Sequence, residues 1–392
     1  MLLKIQDNFK EIFGGDAIVV RSPGRINLIG EHTDYNGGFV LPAAIDKYAY
    51  VAIAKRSDNI IKLFAESYQE YHETNISTVK TSEKGWPNYV LGVADQFIKK
   101  GVELGGFNLY LVGDIPTGAG LSSSAAVECA TAYALAKLFD IQIESMELAL
   151  LAQKAEHVFA GVRCGIMDQF ASVFGKEKHV VKLDCNTLEY QYVPLNLKGY
   201  QLVLLNTNVK HKLAESAYND RRNQCEQGLK WVQEQHPEIK TISETTPELL
   251  EKYVLPHDEN VFRKCSYVIA ENERLEGVIK DLQNGDLKAL GEKLYQTHQG
   301  LSVEYDVSCK ELDFLVDKTK QLPQVLGARM MGGGFGGCTL NLVADEFVAD
   351  FEQIMKSAYD GKFENKLSVY AVNIASGTSE IFMPKKLKSQ EA

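Results

Sequence analysis

Apolar residues recur every three or four positions at the start of the chain, at Leu2, Ile5, Phe9, Ile12 and Phe13. This spacing places them on one face of a helix, and the charged residues between them fall on the other face. The pattern therefore predicts an amphipathic N-terminal helix. It lacks the continuous apolar core of a secretory signal, so we expect no cleaved leader.

The rest of the chain mixes short β-branched runs with longer stretches of helical periodicity. Predicted strands cover residues 17–21, 48–54, 60–66, 107–112, 179–184, 201–206, 338–343 and 367–372. Predicted helices cover residues 88–99, 121–138, 144–159, 213–234, 260–282, 287–298 and 310–320. No regular strand–helix–strand rhythm connects them, which favours an α+β fold over a doubly wound sheet.

The length of 392 residues suggests two domains, 1–195 and 196–392. The boundary falls near Pro194 to Gly199. Because no long linker marks it, we expect the two lobes to pack closely.

Composition narrows the function classes. The formal net charge of -10 argues against a nucleic-acid binder, which would need a basic surface. The seven cysteines include no CxxC pair, so zinc-ligand spacing is absent and reduced, mostly buried thiols are expected. No apolar run approaches the length of roughly 18 residues that a membrane span needs. We expect a cytoplasmic chain that binds no membrane.

One segment has the composition of a phosphate-binding loop. Residues 116–126 read PTGAGLSSSAA and lie between a predicted strand and a predicted helix. A glycine-rich turn at a helix N-terminus presents backbone N–H groups and the positive end of the helix dipole to an anion. It is not a Walker loop, because no Gly-Lys-Ser/Thr follows. The alternative is an ordinary helix capped by serine.

A second segment concentrates polar groups among glycines. Residues 21–38 read RSPGRINLIGEHTDYNGG, with Glu31, His32 and Asp34 close together. Several acceptors and a switchable donor in one tight turn suit a polyhydroxylated ligand. The alternative is a polar turn with surface ion pairs.

Two further segments are weaker indications of a functional site when each is taken alone. Residues 331–337 read MGGGFGG, and five glycines around one phenylalanine indicate backbone lying close to a ligand or to another loop, or else a tight structural turn. In residues 165–170, GIMDQF, Asp168 is either a catalytic carboxylate or the N-cap of a helix. Glu156 is of interest only if it faces the serine loop.

Together these segments resemble the GHMP kinase superfamily, which groups galactokinases with homoserine and mevalonate kinases. Residues 116–126 resemble its phosphate-binding motif and residues 332–337 its C-terminal glycine motif. Residues 24–35 resemble the narrower signature of galactokinases. One departure is Met331, where galactokinases often have threonine.

The resemblance implies an N-terminal lobe like ribosomal protein S5 domain 2, a ferredoxin-like C-terminal lobe and a site between them. It implies ATP-dependent phosphorylation of galactose at its C1 hydroxyl, the first step of galactose metabolism, with Mg²⁺. It also assigns roles to particular residues. The implied catalytic pair is Asp168 and Arg25. The implied sugar contacts are Glu31, His32, Thr33, Asp34, Gly165 and Tyr218. The implied nucleotide contacts are Ser67, Trp86, Gly118, Ala119, Gly120, Leu121, Ser122, Ser123 and Ser124. The implied magnesium ligands are Ser124 and Glu156.

Two other functions stay open. The first is a kinase for N-acetylgalactosamine or another sugar, because its signature is very similar. The second is a galactose and ATP sensor without catalysis, although the intact serine loop together with Arg25 and Asp168 favours an enzyme. The expected partners are galactose and ATP alone, with the chain acting as a monomer.

Overall fold

The computed structural model describes residues 2–116, 118–209 and 214–382. Its α-helices are α1 Leu2–Phe13, α2 Asn88–Lys99, α3 Ser123–Phe139, α4 Ser145–Ala155, α5 Met167–Phe174, α6 Ala214–Gln233, α7 Pro247–Tyr253, α8 Glu259–Asn284, α9 Leu287–Gln299, α10 Lys310–Thr319 and α11 Val348–Asp360. Two π-helical turns extend α4 and α9, at Glu156–Ala160 and Gly300–Glu304.

The strands are β1 Ile18–Asn27, β2 Phe39–Val40, β3 Pro42–Lys55, β4 Ile60–Ala65, β5 Glu70–Asn75, β6 Phe107–Gly113, β7 His179–Asp184, β8 Tyr190–Pro194, β9 Tyr200–Asn206, β10 Val325–Met330, β11 Cys338–Ala344, β12 Ser368–Val372 and β13 Ser379–Glu380. They form three sheets with the orders β13-β1-β3-β6-β4-β5, β10-β11-β9-β12 and β2-β7-β8. Apart from the parallel pair of β4 with β6, the named pairs are antiparallel. The predicted α+β class is therefore confirmed.

The first hydrophobic core lies between the six-stranded sheet and α2, α3 and α4. Fully buried side chains such as Leu91, Leu109 and Leu135 meet there. The apolar face of α2 supplies Leu91 and the inner face of β6 supplies Leu109, so each element buries the side that its sequence period defines. This core makes the rigid platform that carries the start of α3.

A second core joins the two halves of the chain. Ile26 and Leu121 from the first half pack in one cluster with Leu275, Met331 and Leu340 from the second half. The halves are thus in close contact, as expected. The last strand, β13, pairs with β1 and adds an edge to the first sheet. The division into 1–195 and 196–392 stays a prediction.

Among the described residues, every helix is too short or too polar to cross a membrane. The seven cysteines are free thiols, four of them buried, as the sequence predicts.

Candidate active site

The two residues predicted to be catalytic form an ion pair in which Arg25 is buried and Asp168 is partly exposed. Arg25 Nε donates to Asp168 Oδ1 at 2.7 Å, and Arg25 Nη1 donates to the Gly120 carbonyl at 2.6 Å. The Arg25 side chain is 5% exposed and that of Asp168 is 25% exposed. Burial alone would lower the pKa of Arg25, but the Asp168 carboxylate raises it above its ordinary value. Arg25 therefore stays charged and links the acid to the serine loop.

The backbone around Arg25 explains why the pair meets this loop. The register of β1 against β3 shifts between Pro23 and Arg25. A β-carbon on Gly24 would lie 2.7 Å from the Leu121 carbonyl, and Arg25 N donates to that carbonyl at 3.1 Å. Only glycine lets the loop lie so close to the strand.

Asp168 lies in the first turn of α5, and the N-cap residue of this helix is Ile166. The N-cap alternative for Asp168 is therefore wrong. Ser122 is the N-cap of α3, but its hydroxyl makes no capping bond and instead donates to Asp168 Oδ2 at 2.6 Å. Its φ of 57° turns the serine away from the usual capping geometry. Both oxygens of Asp168 are thus held by donors.

The C-terminal glycine run lies directly against the serine loop. A β-carbon on Gly332 would be 3.3 Å from the Gly120 carbonyl, and one on Gly337 would be 3.4 Å from the Ala119 carbonyl. Both glycines have positive φ, at 82° and 78°. The prediction of close approach to another loop is confirmed, which rules out an isolated structural turn.

Glu31 anchors the glycine run to the polar turn. Its Oε1 accepts from Gly332 N at 2.8 Å, and its Oε2 accepts from Arg329 Nη2 at 2.9 Å and from the Asn27 amide. Arg329 is completely buried. Sequence reasoning missed Arg329, because it lies in β10 just before the glycine run, and its partner Glu31 comes from the other end of the chain.

His32 is held by tyrosines. Its Nδ1 is hydrogen-bonded to the Tyr35 hydroxyl at 2.7 Å, and its ring centroid lies 5.4 Å from that of Tyr218 and 4.9 Å from that of Tyr305. Burial lowers the pKa of His32 to about 3. The imidazole is therefore neutral and suited to hydrogen bonding rather than to charge pairing.

Asp34 lies against Gly165. A β-carbon at position 165 would collide with the Asp34 carboxylate, so glycine is required there by the acid itself. Burial, and then the nearby Asp168 carboxylate, raise the pKa of Asp34 to about 7. Gly165 thus has a packing reason for its identity besides any substrate contact.

This pKa gives a testable pH dependence of stability for Asp34→Asn. While Asp34 is protonated in both the folded and the unfolded state, its burial adds no pH dependence to the free energy of unfolding. As pH rises from about 4 through 7, the carboxyl ionises first in the unfolded chain, so the folded state loses stability. Asparagine removes that loss. We expect the variant to melt about 2–6 °C above wild type at pH 8.5, with the difference shrinking toward pH 5. Scanning calorimetry across this range tests it.

The matched control for this experiment is Asp317→Asn, at a surface carboxylate that pairs with Lys320. Its melting difference should not follow the same pH course. A constant offset for Asp34→Asn at every pH would contradict the argument.

One cavity of about 140 Å³ collects the predicted residues of the polar turn and the catalytic pair. Its lining includes Arg25, Glu31, His32, Asp34, Glu156, Gly165, Asp168 and Tyr218 from the predictions, together with Val162, Cys164, Met167, Gly332 and Gly333. Charged and hydroxyl groups from both halves of the chain converge on one small space. Such a cavity suits a compact ligand with many hydroxyls.

Thr33 is the exception among the predicted sugar contacts. It is fully buried, and its hydroxyl lies 2.8 Å from the Gly30 carbonyl and 2.6 Å from the Phe39 carbonyl. It is not part of the cavity lining. The structure places this side chain in the support of the turn.

A second cavity, of about 340 Å³, lies beside the start of α3. The predicted residues Ser67, Trp86, Ser123 and Ser124 all line it. Tyr68 stacks on Trp86 with ring planes 14° apart. An aromatic wall beside a helix N-terminus fits a nucleotide, with its base against the rings and its phosphates at the helix.

Within the serine loop the residues have different roles. Ala119 and Leu121 are buried in the second core, so their side chains anchor the loop. Gly118 is exposed, and Gly120 gives its carbonyl to Arg25.

Ser124 and Glu156 lie where the two cavities meet. Glu156 accepts hydrogen bonds from Ser124 and from Gln169, the latter at 2.6 Å. Burial, and then Asp168, raise the pKa of Glu156. Because Glu156 begins the π-helical turn, the predicted continuous helix over 144–159 is interrupted at this acid, as often happens at functional sites.

Three family models match the chain. The GHMP kinases N terminal domain matches residues 88–176, and the GHMP kinases C terminal model matches residues 278–355. The galactokinase galactose-binding signature matches residues 7–55. The N-terminal domain model contains the serine loop, and the galactose-binding signature contains the polar turn.

Full-length relatives and solved structures indicate the same family as these models. A galactokinase of Fusobacterium nucleatum is 38% identical over 97% of this chain and 100% of its own length. One of Clostridium acetobutylicum is 40% identical over 96% and 98%. The crystal structure of Lactococcus lactis galactokinase complexed with galactose superposes with a TM-score of 0.93 at 37% identity, covering 97% of this chain and 100% of that one. Mevalonate kinase of Methanococcus jannaschii, at 16% identity and a TM-score of 0.66, shares the fold.

Proposed function

The chain belongs to the galactokinases of the GHMP kinase superfamily and is an ATP-dependent sugar kinase, and from that premise we propose how its own residues perform the reaction. The substrate is galactose, which accepts the ATP γ-phosphoryl group on its C1 oxygen. Asp168 and Arg25 are the catalytic pair. The observation that carries this proposal is that this pair and the polar turn line one small cavity beside the serine loop.

Asp168 accepts a hydrogen bond from the C1 hydroxyl and takes its proton while the oxygen–phosphorus bond forms and ADP leaves. Arg25 orients this carboxylate through the 2.7 Å bond to Oδ1 and brings positive charge to the moving phosphoryl group. Ser122 fixes the other oxygen. Alignment of the reactants matters more here than covalent chemistry.

Sugar selectivity comes from hydrogen bonds in the cavity. Asp34, Glu31 and neutral His32 present fixed acceptors and donors, and a sugar with a misplaced hydroxyl leaves buried polar groups unpaired. Gly165 and Tyr218 complete the wall around the sugar. Asp34 and Glu31 are the candidates for reading the axial 4-hydroxyl.

The nucleotide occupies the second cavity, where Ser67 and Trp86 border its base and Ser123 and Ser124 line the phosphate end. The backbone from Gly118 to Ser122, which does not line the cavity, is proposed to complete the phosphate site. Ser124 and Glu156 are the candidate ligands of Mg²⁺. They supply a hydroxyl and a carboxylate oxygen, and among the described residues no cluster of three or more His, Cys, Asp or Glu side chains forms a closed cage. One or two protein oxygens completed by phosphates is the coordination that Mg²⁺ favours. Held by these two residues, the ion would supply positive charge that neutralises the phosphates.

The test is ATP-dependent phosphorylation of galactose by the purified chain, with glucose and N-acetylgalactosamine alongside. We expect galactose 1-phosphate as the product and a kcat/KM at least ~10-fold higher for galactose than for either other sugar. A preference for N-acetylgalactosamine would replace the substrate assignment. Binding of galactose without turnover of any sugar would indicate the sensor function. Action as a monomer in the cytoplasm belongs to the same proposal.

A further inference from the structure

Gln169 connects two acids behind the candidate magnesium ligands. It is completely buried on α5, next to Asp168 in sequence. Its amide nitrogen donates to Glu156 Oε2 at 2.6 Å and to Glu128 Oε2 at 3.1 Å. Both N–H bonds of the amide therefore end on carboxylates from two other helical segments.

Glu128 has no evident structural use. It is completely buried, its Oε1 has no hydrogen-bond partner among the described residues, and no cation pairs with it there. Burial, and then the Glu156 carboxylate, raise the pKa of Glu128 well above its ordinary range. A buried acid without a cation weakens the fold. An apolar residue at this point of α3 would pack at lower cost.

The position of Glu128 on α3 points to the magnesium ligands. It follows Ser124 by four residues, so the two side chains share one face of the helix. The amide of Gln169 can point either its nitrogen or its oxygen at Glu156, and only the nitrogen attracts the carboxylate. An acceptor at position 128 favours the orientation with the nitrogen toward both acids.

We propose that Glu128 is a positioning residue that acts through Gln169 to orient the Glu156 carboxylate for the divalent cation. The chain of contacts runs from Glu128 Oε2 through the Gln169 amide nitrogen to Glu156 Oε2. It leaves Glu156 fixed beside Ser124, the other candidate ligand. This inference rests on the assignment of Ser124 and Glu156 in the proposed function.

The experiment measures Mn²⁺ binding directly, by electron paramagnetic resonance of free Mn²⁺ in the presence of protein and a non-hydrolysable ATP analogue. The variants are Glu128→Met, Gln169→Met and the double variant. Each single change should weaken Mn²⁺ binding about 10-fold, as the loss of a partner that orients a metal ligand does. Because the two residues act in series, the double variant should bind Mn²⁺ no more weakly than the weaker-binding single variant.

The matched control is Thr131→Val, which removes a buried hydroxyl that, like Glu128 Oε1, has no hydrogen-bond partner among the described residues, from the same helix. It should leave Mn²⁺ affinity unchanged. Thermal melting and galactose binding are measured on every variant, since a purely structural role for Glu128 would lower the melting temperature or galactose affinity and spare the metal. Mn²⁺ affinity of Glu128→Met within about twofold of wild type, or additive losses in the double variant, would overturn the proposal.

These outcomes are separable from failure of the proposed function. If wild type binds Mn²⁺ and nucleotide but phosphorylates no sugar, the reaction assignment fails and the binding comparison can still be made. If Glu156→Gln leaves Mn²⁺ affinity intact, the assignment of the metal ligand fails, and the inference about Glu128 fails with it.

Discussion

Replacing Asp168 with asparagine should lower kcat for galactose phosphorylation by at least ~100-fold. Asparagine cannot take the proton of the C1 hydroxyl. It also presents an NH₂ group to one of the two donors that now hold the acid, either Arg25 Nε at 2.7 Å or Ser122 Oγ at 2.6 Å. Both the proton acceptor and its alignment are therefore lost. Steady-state kinetics with ADP release coupled to NADH oxidation measure the effect.

Galactose binding separates chemistry from folding in this experiment. The variant should bind galactose within a few-fold of wild type by calorimetry, because the rest of the cavity lining is intact. The control Asp58→Asn changes a surface carboxylate paired with Arg56 and should keep wild-type turnover. A kcat for Asp168→Asn within tenfold of wild type would show that another group accepts the proton, or that the reaction needs no protein base.

Ser122 shows the limit of motif reasoning at this site. The motif predicts a phosphate contact, and the residue type predicts a helix cap. The structure gives its hydroxyl to Asp168, across 46 residues of sequence. The side chain of Ser122 therefore holds the acid and does not cap the helix. Local sequence fixes the loop, while the choice of partner depends on tertiary packing.

The secondary structure that the sequence predicts well is the part set by local periodicity. The bounds of α2 and β7 agree with the predictions at both ends. β10, which lies at the edge of its sheet, was missed, as was the seven-residue helix α7. Edge strands and helices of two turns carry too few residues for a clear period, and neighbouring elements decide their conformation.

The polar contacts that support the site escaped prediction for the same reason. Arg329 and Glu31 are 298 residues apart, and Gln169 meets Glu128 across 41 residues. Arg329 and Glu128 each lie two residues outside a singled-out segment, and their own residue types do not reveal which distant side chain they meet. Residue type and spacing can predict which loops hold chemistry, but a buried partner from another element becomes visible only when the chain is folded.

Replacing Arg329 with methionine should destabilise the fold by about 3–5 kcal/mol, the range found when one partner of a buried ion pair is removed. Arg329 is fully buried and donates to Glu31 Oε2 at 2.9 Å, to the Leu28 carbonyl at 3.0 Å and to the Met330 carbonyl at 2.7 Å. Methionine fills similar space but leaves the Glu31 carboxylate, 1% exposed, without its cation. Urea unfolding followed by circular dichroism measures the loss.

Two companion variants decide whether the ion pair is the cause. Arg56→Met breaks a surface pair with Asp58 and should cost no more than about 1 kcal/mol. Glu31→Gln combined with Arg329→Met removes the unpaired charge, so the double variant should lose less stability than the sum of the two single changes. If the losses simply add, the cost of Arg329→Met comes from the unpaired carbonyls and not from Glu31.

In either case Glu31 also holds Gly332 N at 2.8 Å, so a loosened carboxylate should raise the KM for galactose by freeing the glycine run beside the cavity.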